Sequence, residues 1–253
     1  MSQALKTVVH PLIVAAGVGK RFGSDTPKQY TRIHDKTVLE HSVAALSKIP
    51  DFSQCYLVIS KEDTFAKQLS FAMPIRWVAG GAERMHSVCN GVQAIWQDVQ
   101  AHNLQPQRLD DLAACEHWVL IHDAARPCVR PQDIERLIEH TTPHPLGQTA
   151  GGLLAVPVRD TVKQSQHIDA QNFSQTTIDR NTLWLAQTPQ LFPLVGLYQY
   201  LAQAMNEQIA FTDEASLFEH FGHMPLLIEG QHSNIKLTFP EDLLIAQALL
   251  ASD

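Results

Sequence analysis

Four cysteines in 253 residues, with no C-x-x-C spacing among them, leave neither a disulfide framework nor a zinc knuckle. Cys55, Cys89, Cys115 and Cys128 lie far apart, each beside apolar residues, as reduced cysteines do. Long hydrophobic runs are missing as well. No stretch approaches the roughly 20 apolar residues of a membrane-crossing helix, and MSQALKTVVHPLIVAAG at the N-terminus lacks a signal-peptide cleavage pattern. A cytoplasmic location without membrane attachment is therefore expected. Positive charge is scarce: 19 Lys plus Arg against 26 Asp plus Glu give a formal charge of −7, which argues against a broad nucleic-acid surface. The 13 histidines are scattered without an H-E-x-x-H motif, and the closest pair, His220 and His223, reads as a helix end. There are no repeats and no low-complexity tract.

What remains is an ordinary globular composition, 45% hydrophobic and 18% charged, long enough to bury a real core. Short β-branched runs alternate with amphipathic helical patterns, the sequence form of a mostly parallel sheet with crossover helices in the α/β class. Strands are expected at 12–15, 55–59, 75–78, 118–121, 153–158, 225–229 and 235–238. Helices are expected at 38–49, 63–71, 85–99 and 132–140, with a terminal one begun by Pro240-Glu241-Asp242. Thr37 followed by Glu40 is a capping-box signature, and Pro131 suits a first helical turn. The polar stretch 101–116 reads as a surface insertion. Residues 159–181 are polar yet β-compatible, which suits a projecting β-arm on a single domain, and such an arm commonly finds a partner subunit. A homodimer is expected.

The loop after the first strand, Ala15-Ala16-Gly17-Val18-Gly19-Lys20-Arg21-Phe22-Gly23, holds three glycines in seven residues. Glycine lets successive N–H groups turn toward an anion without steric cost. The dinucleotide fingerprint fails here, because the third glycine comes one position late and Ser60 stands where a ribose-binding acid belongs. A Walker A loop fails for want of Ser or Thr after Gly-Lys. Alone, the loop is equally compatible with a structural turn. Five of the 19 cations (Lys20, Arg21, Lys28, Arg32, Lys36) fall within 17 positions, which favours a polyphosphate. Arg21, inside the glycine loop, and Lys28, after Pro27 in an irregular segment, are the candidates to hold a nucleoside triphosphate.

Ala-Ala-Gly-x-Gly-x-Arg-x-Gly followed by Pro27-Lys28-Gln29-Tyr30 resembles the nucleotidyltransferases that activate phosphorylated alcohols and sugars. Within them, Gly80-Gly81-x-x-Arg84-x-x-Ser87-Val88, His122-Asp123-Ala124-Ala125-Arg126-Pro127, Pro157-Val158-Arg159-Asp160-Thr161-x-Lys163, Asp179-Arg180-Asn181, Gln187-Thr188-Pro189-Gln190, Thr212-Asp213-Glu214-Ala215 and Asn234-Ile235-Lys236 are similar to the 2-C-methyl-D-erythritol 4-phosphate cytidylyltransferases. The likeness runs in order over nearly the whole chain. It implies transfer from CTP to methylerythritol phosphate, with pyrophosphate released in the non-mevalonate isoprenoid route, a divalent cation such as Mg²⁺, and a homodimer built through an arm.

The same resemblance implies roles for individual residues. Arg21 and Lys28 would be catalytic, holding the triphosphate and offsetting charge on the α-phosphoryl group. Ala15, Ala16, Gly17, Gly19, Gly81, Ala82 and Ser87 would surround CTP, with Ala82 standing where many relatives carry an acid. Asp123, ending a strand, would ligate the metal, with Arg126 as its structural partner. Thr161, Arg180, Thr188 and Lys236 would bind the polyol phosphate, one of the arm residues acting across the dimer. Asp179 and Asp213 would orient loops. The near alternative is a cytidylyltransferase for another polyol phosphate such as ribitol 5-phosphate. A non-catalytic nucleotide-binding module is disfavoured by the intact Arg21, Lys28, Asp123 and Lys236.

Overall fold

The computed structural model describes residues 7–17, 27–101, 116–142 and 150–251. Its first half runs β1 (Val8–Val14), a small ribbon of β2 (Arg32–Ile33) and β3 (Lys36–Thr37), α1 (Val38–Leu46), β4 (Cys55–Ile59), β5 (Ile75–Ala79), α2 (Arg84–Ala101), β6 (His117–Asp123), α3 (Pro131–Thr141) and β7 (Gly152–Pro157). The second half adds the hairpin β8 (Val162–Ile168) and β9 (Gln171–Ile178), then β10 (Trp184–Pro193), α4 (Leu194–Glu207), α5 (Glu214–His220), β11 (Leu226–Glu229) and α6 (Glu241–Leu250).

Seven strands form one sheet in the order β11-β7-β10-β6-β1-β4-β5. Every pairing is parallel except those of β10, which runs antiparallel to β6 and β7. The expected mostly parallel sheet is thus present. Both faces are covered, so inner strands are apolar throughout: all five residues of β4 are buried. Alternation sorts them. Ile13, Leu57 and Leu120 face the layer of α1 and α3, while Leu12, Tyr56, Val119 and Ile121 face α2, α4 and α5. Gly91 lets α2 lie close on β1, since a Cβ there would sit 2.6 Å from Leu12 Cδ1. A third cluster, with Ile33, Val38, Leu237 and Ala246, fixes α6 over the β2–β3 ribbon.

Local signals account for several boundaries. Thr37 and Glu40 form the capping box at α1, and Pro131 occupies the first turn of α3. The helix expected at 63–71 is absent, replaced by a single 3₁₀ turn at Ala66–Gln68. Asp63 Oδ1 accepts from the N–H groups of Phe65 and Ala66, and that local turn competes with helix. The strand expected at 235–238 is also absent. Its backbone makes isolated bonds instead, such as Leu237 N–H to Ala125 O at 2.8 Å, and the loop folds back over the end of β6. The insertion at 101–116 falls almost wholly outside the described residues.

The arm is the hairpin β8–β9, exposed along nearly its whole length. Its two-residue turn places Asp169 (φ 46°) and Ala170 (φ 63°) in the left-handed region, as a hairpin turn of this length requires.

Candidate active site

β1 lies between β4 and β6, and the helices packed beside it, α1 and α2, cover opposite faces of the sheet. A crevice opens at the carboxyl end of β1, the position where ligands of open α/β sheets bind. Ala15, Ala16 and Gly17 leave the strand along its floor, and Gln29 pins them: its Nε2 donates to Ala15 O at 2.9 Å and Gly17 O at 3.1 Å. Lys28, next in the same 3₁₀ turn, lines the crevice and donates to Leu237 O at 2.6 Å. Gly80 and Gly81 close the opposite wall. A Cβ on Gly80 would meet that of Ala16 at 2.4 Å, so only glycine permits this approach. Ser87 holds the wall in shape, its hydroxyl accepting from Gly81 N–H and donating to Glu83 O, both at 3.1 Å.

At the end of β6, Asp123 is 7% exposed and faces three cations. Lys236 Nζ lies 2.7 Å from Oδ2, Arg84 Nε 3.3 Å from Oδ1, and Arg126 Nε 4.0 Å away. Burial opposes ionisation of Asp123, but the attraction of Arg84 and then Lys236 outweighs it, holding the carboxyl well below its ordinary range. Arg84 also forks onto the fully buried Glu214, with contacts of 2.6 and 3.0 Å. Burial disfavours its charge, yet Glu214 and Asp123 more than restore it, and its pKa is raised.

Behind Asp123 lies a polar relay. His122 Nε2–H donates to Arg126 O at 3.1 Å, which leaves Nδ1 to accept from the Thr188 hydroxyl at 3.0 Å. Thr188 Oγ1 in turn accepts from Asp123 N–H at 3.0 Å. Burial pushes His122 down to about 4, consistent with a neutral ring that carries this single tautomer.

The family model described as 2-C-methyl-D-erythritol 4-phosphate cytidylyltransferase matches residues 9–252. The chain belongs to this cytidylyltransferase family. It is 42% identical to the 2-C-methyl-D-erythritol 4-phosphate cytidylyltransferase of Vibrio vulnificus (strain CMCP6), over 100% of this chain and 98% of that one. A crystal structure of 4-diphosphocytidyl-2C-methyl-D-erythritol synthase superposes with a TM-score of 0.75 at 37% identity, covering 97% of this chain and 100% of the other. The Francisella tularensis cytidylyltransferase superposes with a TM-score of 0.72 at 32% identity, covering 95% and 99%.

Against this cytidylyltransferase fold the expected residues divide clearly. Ala15, Ala16, Gly17, Lys28, Gly81, Ala82, Ser87, Asp123 and Lys236 share the one crevice. Gly19 and Arg21 lie outside the described residues. Thr161 and Arg180 sit apart, in a shallow groove at the base of the arm, where Arg180 donates to Arg159 O. Thr188 departs from expectation: it is 4% exposed, and its hydroxyl is spent on His122 and Asp123 rather than offered to a substrate. Ser87 likewise lines the crevice with its hydroxyl already engaged. Asp213 caps α5 and Asp179 caps the turn at Arg180–Thr182, as loop-orienting residues do. Sequence reasoning gave Arg84, Glu214, His122 and Gln29 no role, although each stood inside a quoted motif.

Proposed function

We propose that this chain transfers the cytidylyl group of CTP to 2-C-methyl-D-erythritol 4-phosphate, giving CDP-methylerythritol and pyrophosphate for isoprenoid precursors. The observation that carries the reading is a glycine-walled crevice at the strand ends, with Lys28 and Lys236 beside it, in a chain matching this family over residues 9–252. A phosphate oxygen of the polyol attacks the α-phosphorus of CTP in line, a P–O bond forms, the bond to the β-phosphate breaks, and pyrophosphate leaves with the electron pair. No protein nucleophile is needed, so positioning and charge neutralisation supply the catalysis. Lys28 and Arg21 act on the triphosphate. Gly81 and Ala82 bound the base and ribose, with Ser87 supporting that wall. Lys236 meets the phosphate of the polyol, with Thr161 and Arg180 reaching it from a second copy of the chain.

A divalent cation fits only in one manner. Among the described residues no group of three His, Cys, Asp or Glu side chains is placed to hold a metal, and both oxygens of Asp123 face cations. That donor set suits Mg²⁺ held chiefly by triphosphate oxygens, with Asp123 as a single carboxylate beside it. When bound, Mg²⁺ would neutralise the triphosphate and the leaving pyrophosphate. A homodimer in the cytoplasm completes the reading. Ile168 and Phe173 on the hairpin and Leu185 at its base expose 44%, 49% and 55% of their surfaces, apolar area suited to a second copy.

Pyrophosphate release from CTP, measured with methylerythritol phosphate or ribitol 5-phosphate in Mg²⁺, tests the assignment. Turnover with the former is expected; turnover with ribitol 5-phosphate alone would refute it.

A further inference from the structure

Glu214 has no part in the chemistry above, yet it is the carboxylate most completely withdrawn from water near the crevice, at 0% exposure. It sits in the first turn of α5 and lies 130 residues from Arg84 in sequence. A carboxylate in such a place is costly unless fully paired. Its pairing is geometrically demanding: Oε1 and Oε2 each take one guanidinium nitrogen of Arg84, so the planar fork has a single orientation.

That orientation has a consequence on the other side of the guanidinium. With Nη1 and Nη2 committed to Glu214, Nε points at Asp123 Oδ1 at 3.3 Å, and Asp123 Oδ2 holds Lys236 Nζ at 2.7 Å. The line Glu214, Arg84, Asp123, Lys236 runs from the core to solvent, with side-chain exposures of 0%, 29%, 10% and 41%. Lysine is a point charge on a flexible stem and sets no direction of its own. Its placement here is inherited from the rigid end of the line.

We propose that Glu214 is a positioning residue for the transfer: by fixing Arg84 it fixes the Asp123 carboxylate, which presents Lys236 to the phosphate of the incoming polyol. This rests on the reading of Lys236 given above. A purely structural Glu214–Arg84 pair would tie α5 to α2 and affect stability alone. A positioning pair has an effect that vanishes once Lys236 is gone.

A double-mutant cycle separates the two. Glu214→Gln keeps the volume of the side chain and removes its charge. It is expected to lower kcat/KM for methylerythritol phosphate by roughly 10- to 100-fold, the range for losing a charge-assisted hydrogen bond. In a Lys236→Met background the same change should cost about twofold or less. Arg84→Lys, which keeps a cation but not the fork, should behave alike, and serves if Glu214→Gln does not fold by its thermal melt. Effects that multiply in full with Lys236→Met, or are absent from both variants, overturn the positioning role while leaving Lys236 in place. If Lys236→Met itself leaves polyol-phosphate kinetics unchanged, the role of Lys236 is refuted and the positioning role falls with it.

Discussion

Thr188→Val distinguishes a substrate-binding hydroxyl from a structural one. Valine matches threonine in shape, so packing is kept and only the hydroxyl is lost. In the structure that hydroxyl satisfies two buried groups at once, accepting from Asp123 N–H and donating to His122 Nδ1, each at 3.0 Å. Both would be left unpaired, and at roughly 1–3 kcal/mol for each orphaned buried group the loss is about 2–6 kcal/mol. For a chain of this length that corresponds to a fall in Tm of roughly 4–24 °C. Scanning calorimetry and urea denaturation would read it directly, with Thr188→Ser, which keeps the hydroxyl, recovering most of the loss. Steady-state kinetics at a temperature where both proteins are folded should show a smaller change, because in the proposed reading the polyol phosphate meets Lys236 while the Thr188 hydroxyl stays engaged with His122 and Asp123. A variant with unaltered Tm and a large rise in KM for the polyol phosphate would refute this account and return Thr188 to the substrate.

Three other outcomes are expected. Lys28→Ala should lower kcat by on the order of 10²–10³, as loss of an electrostatic stabiliser does, with little change in Tm; unchanged turnover would remove Lys28 from the mechanism. On the proposed homodimer, the Arg180→Ala and Lys28→Ala proteins should each be impaired while their mixture regains activity that neither has alone; no recovery would refute an arm that completes the site of a second copy. Stability should also fall on acidification. His10 of β1 is pushed down from 6.5 to about 4, first by burial and then by His117 of β6, against the opposing pull of Asp98 of α2, itself paired with Arg76 of β5; Tyr56 of β4 packs on its ring. Between pH 6.5 and 4 the unfolded chain therefore binds more protons, so the contribution of His10 is complete above the window and falls by about 3 kcal/mol as pH drops through it, with buried His122 adding a loss in the same window. Urea midpoints measured across that range check this, and His10→Asn should reduce the slope while leaving the part that His122 contributes.

What could be read from the sequence was local or periodic. The apolar run of β4, the capping box at Thr37 and Pro131 at the head of α3 each express a short-range rule, and each is seen in the fold. β10 obeys no such rule, although it sits in the middle of the sheet. Its Gln187, Thr188 and Gln190 are buried polar side chains that bond inward, Gln190 to Asp213 and to Ala215 N–H, and its register shifts between Ala186 and Gln190. A polar segment satisfied by distant partners resembles a loop until those partners are known. The same limit hid the pairing of Arg84 with Glu214 and the inward bonds of Thr188, which stands inside a quoted motif and took its expected substrate role from the family resemblance. The crevice was legible in part, because the run Ala15-Ala16-Gly17 and Lys28 were singled out by their spacing and charge and both line it, a signature that side-chain networks do not leave.

The scarcity of cations in this chain takes on a physical meaning at the site. Lys28, Arg84, Lys236 and Arg126 gather around Asp123 and Glu214, and with Glu83 also lining the crevice a local excess of one positive charge remains in a protein of net charge −7. Like charges about 4 Å apart repel by on the order of 4 kcal/mol at the effective dielectric of a protein surface. Four cations cannot therefore wait together at a crevice unless something holds them. Asp123 does so for three of them and Glu214 anchors Arg84 from its far side, which keeps the cations assembled before any substrate arrives. In the proposed reading, a doubly charged phosphate that enters would compete with Asp123 for Lys236 and find its partner already placed, leaving little reorganisation for the moment of reaction. Two buried carboxylates beside a crevice proposed to bind phosphates look at first like a defect of charge. They are what allows a chain with 19 cations to bring four of them to one place.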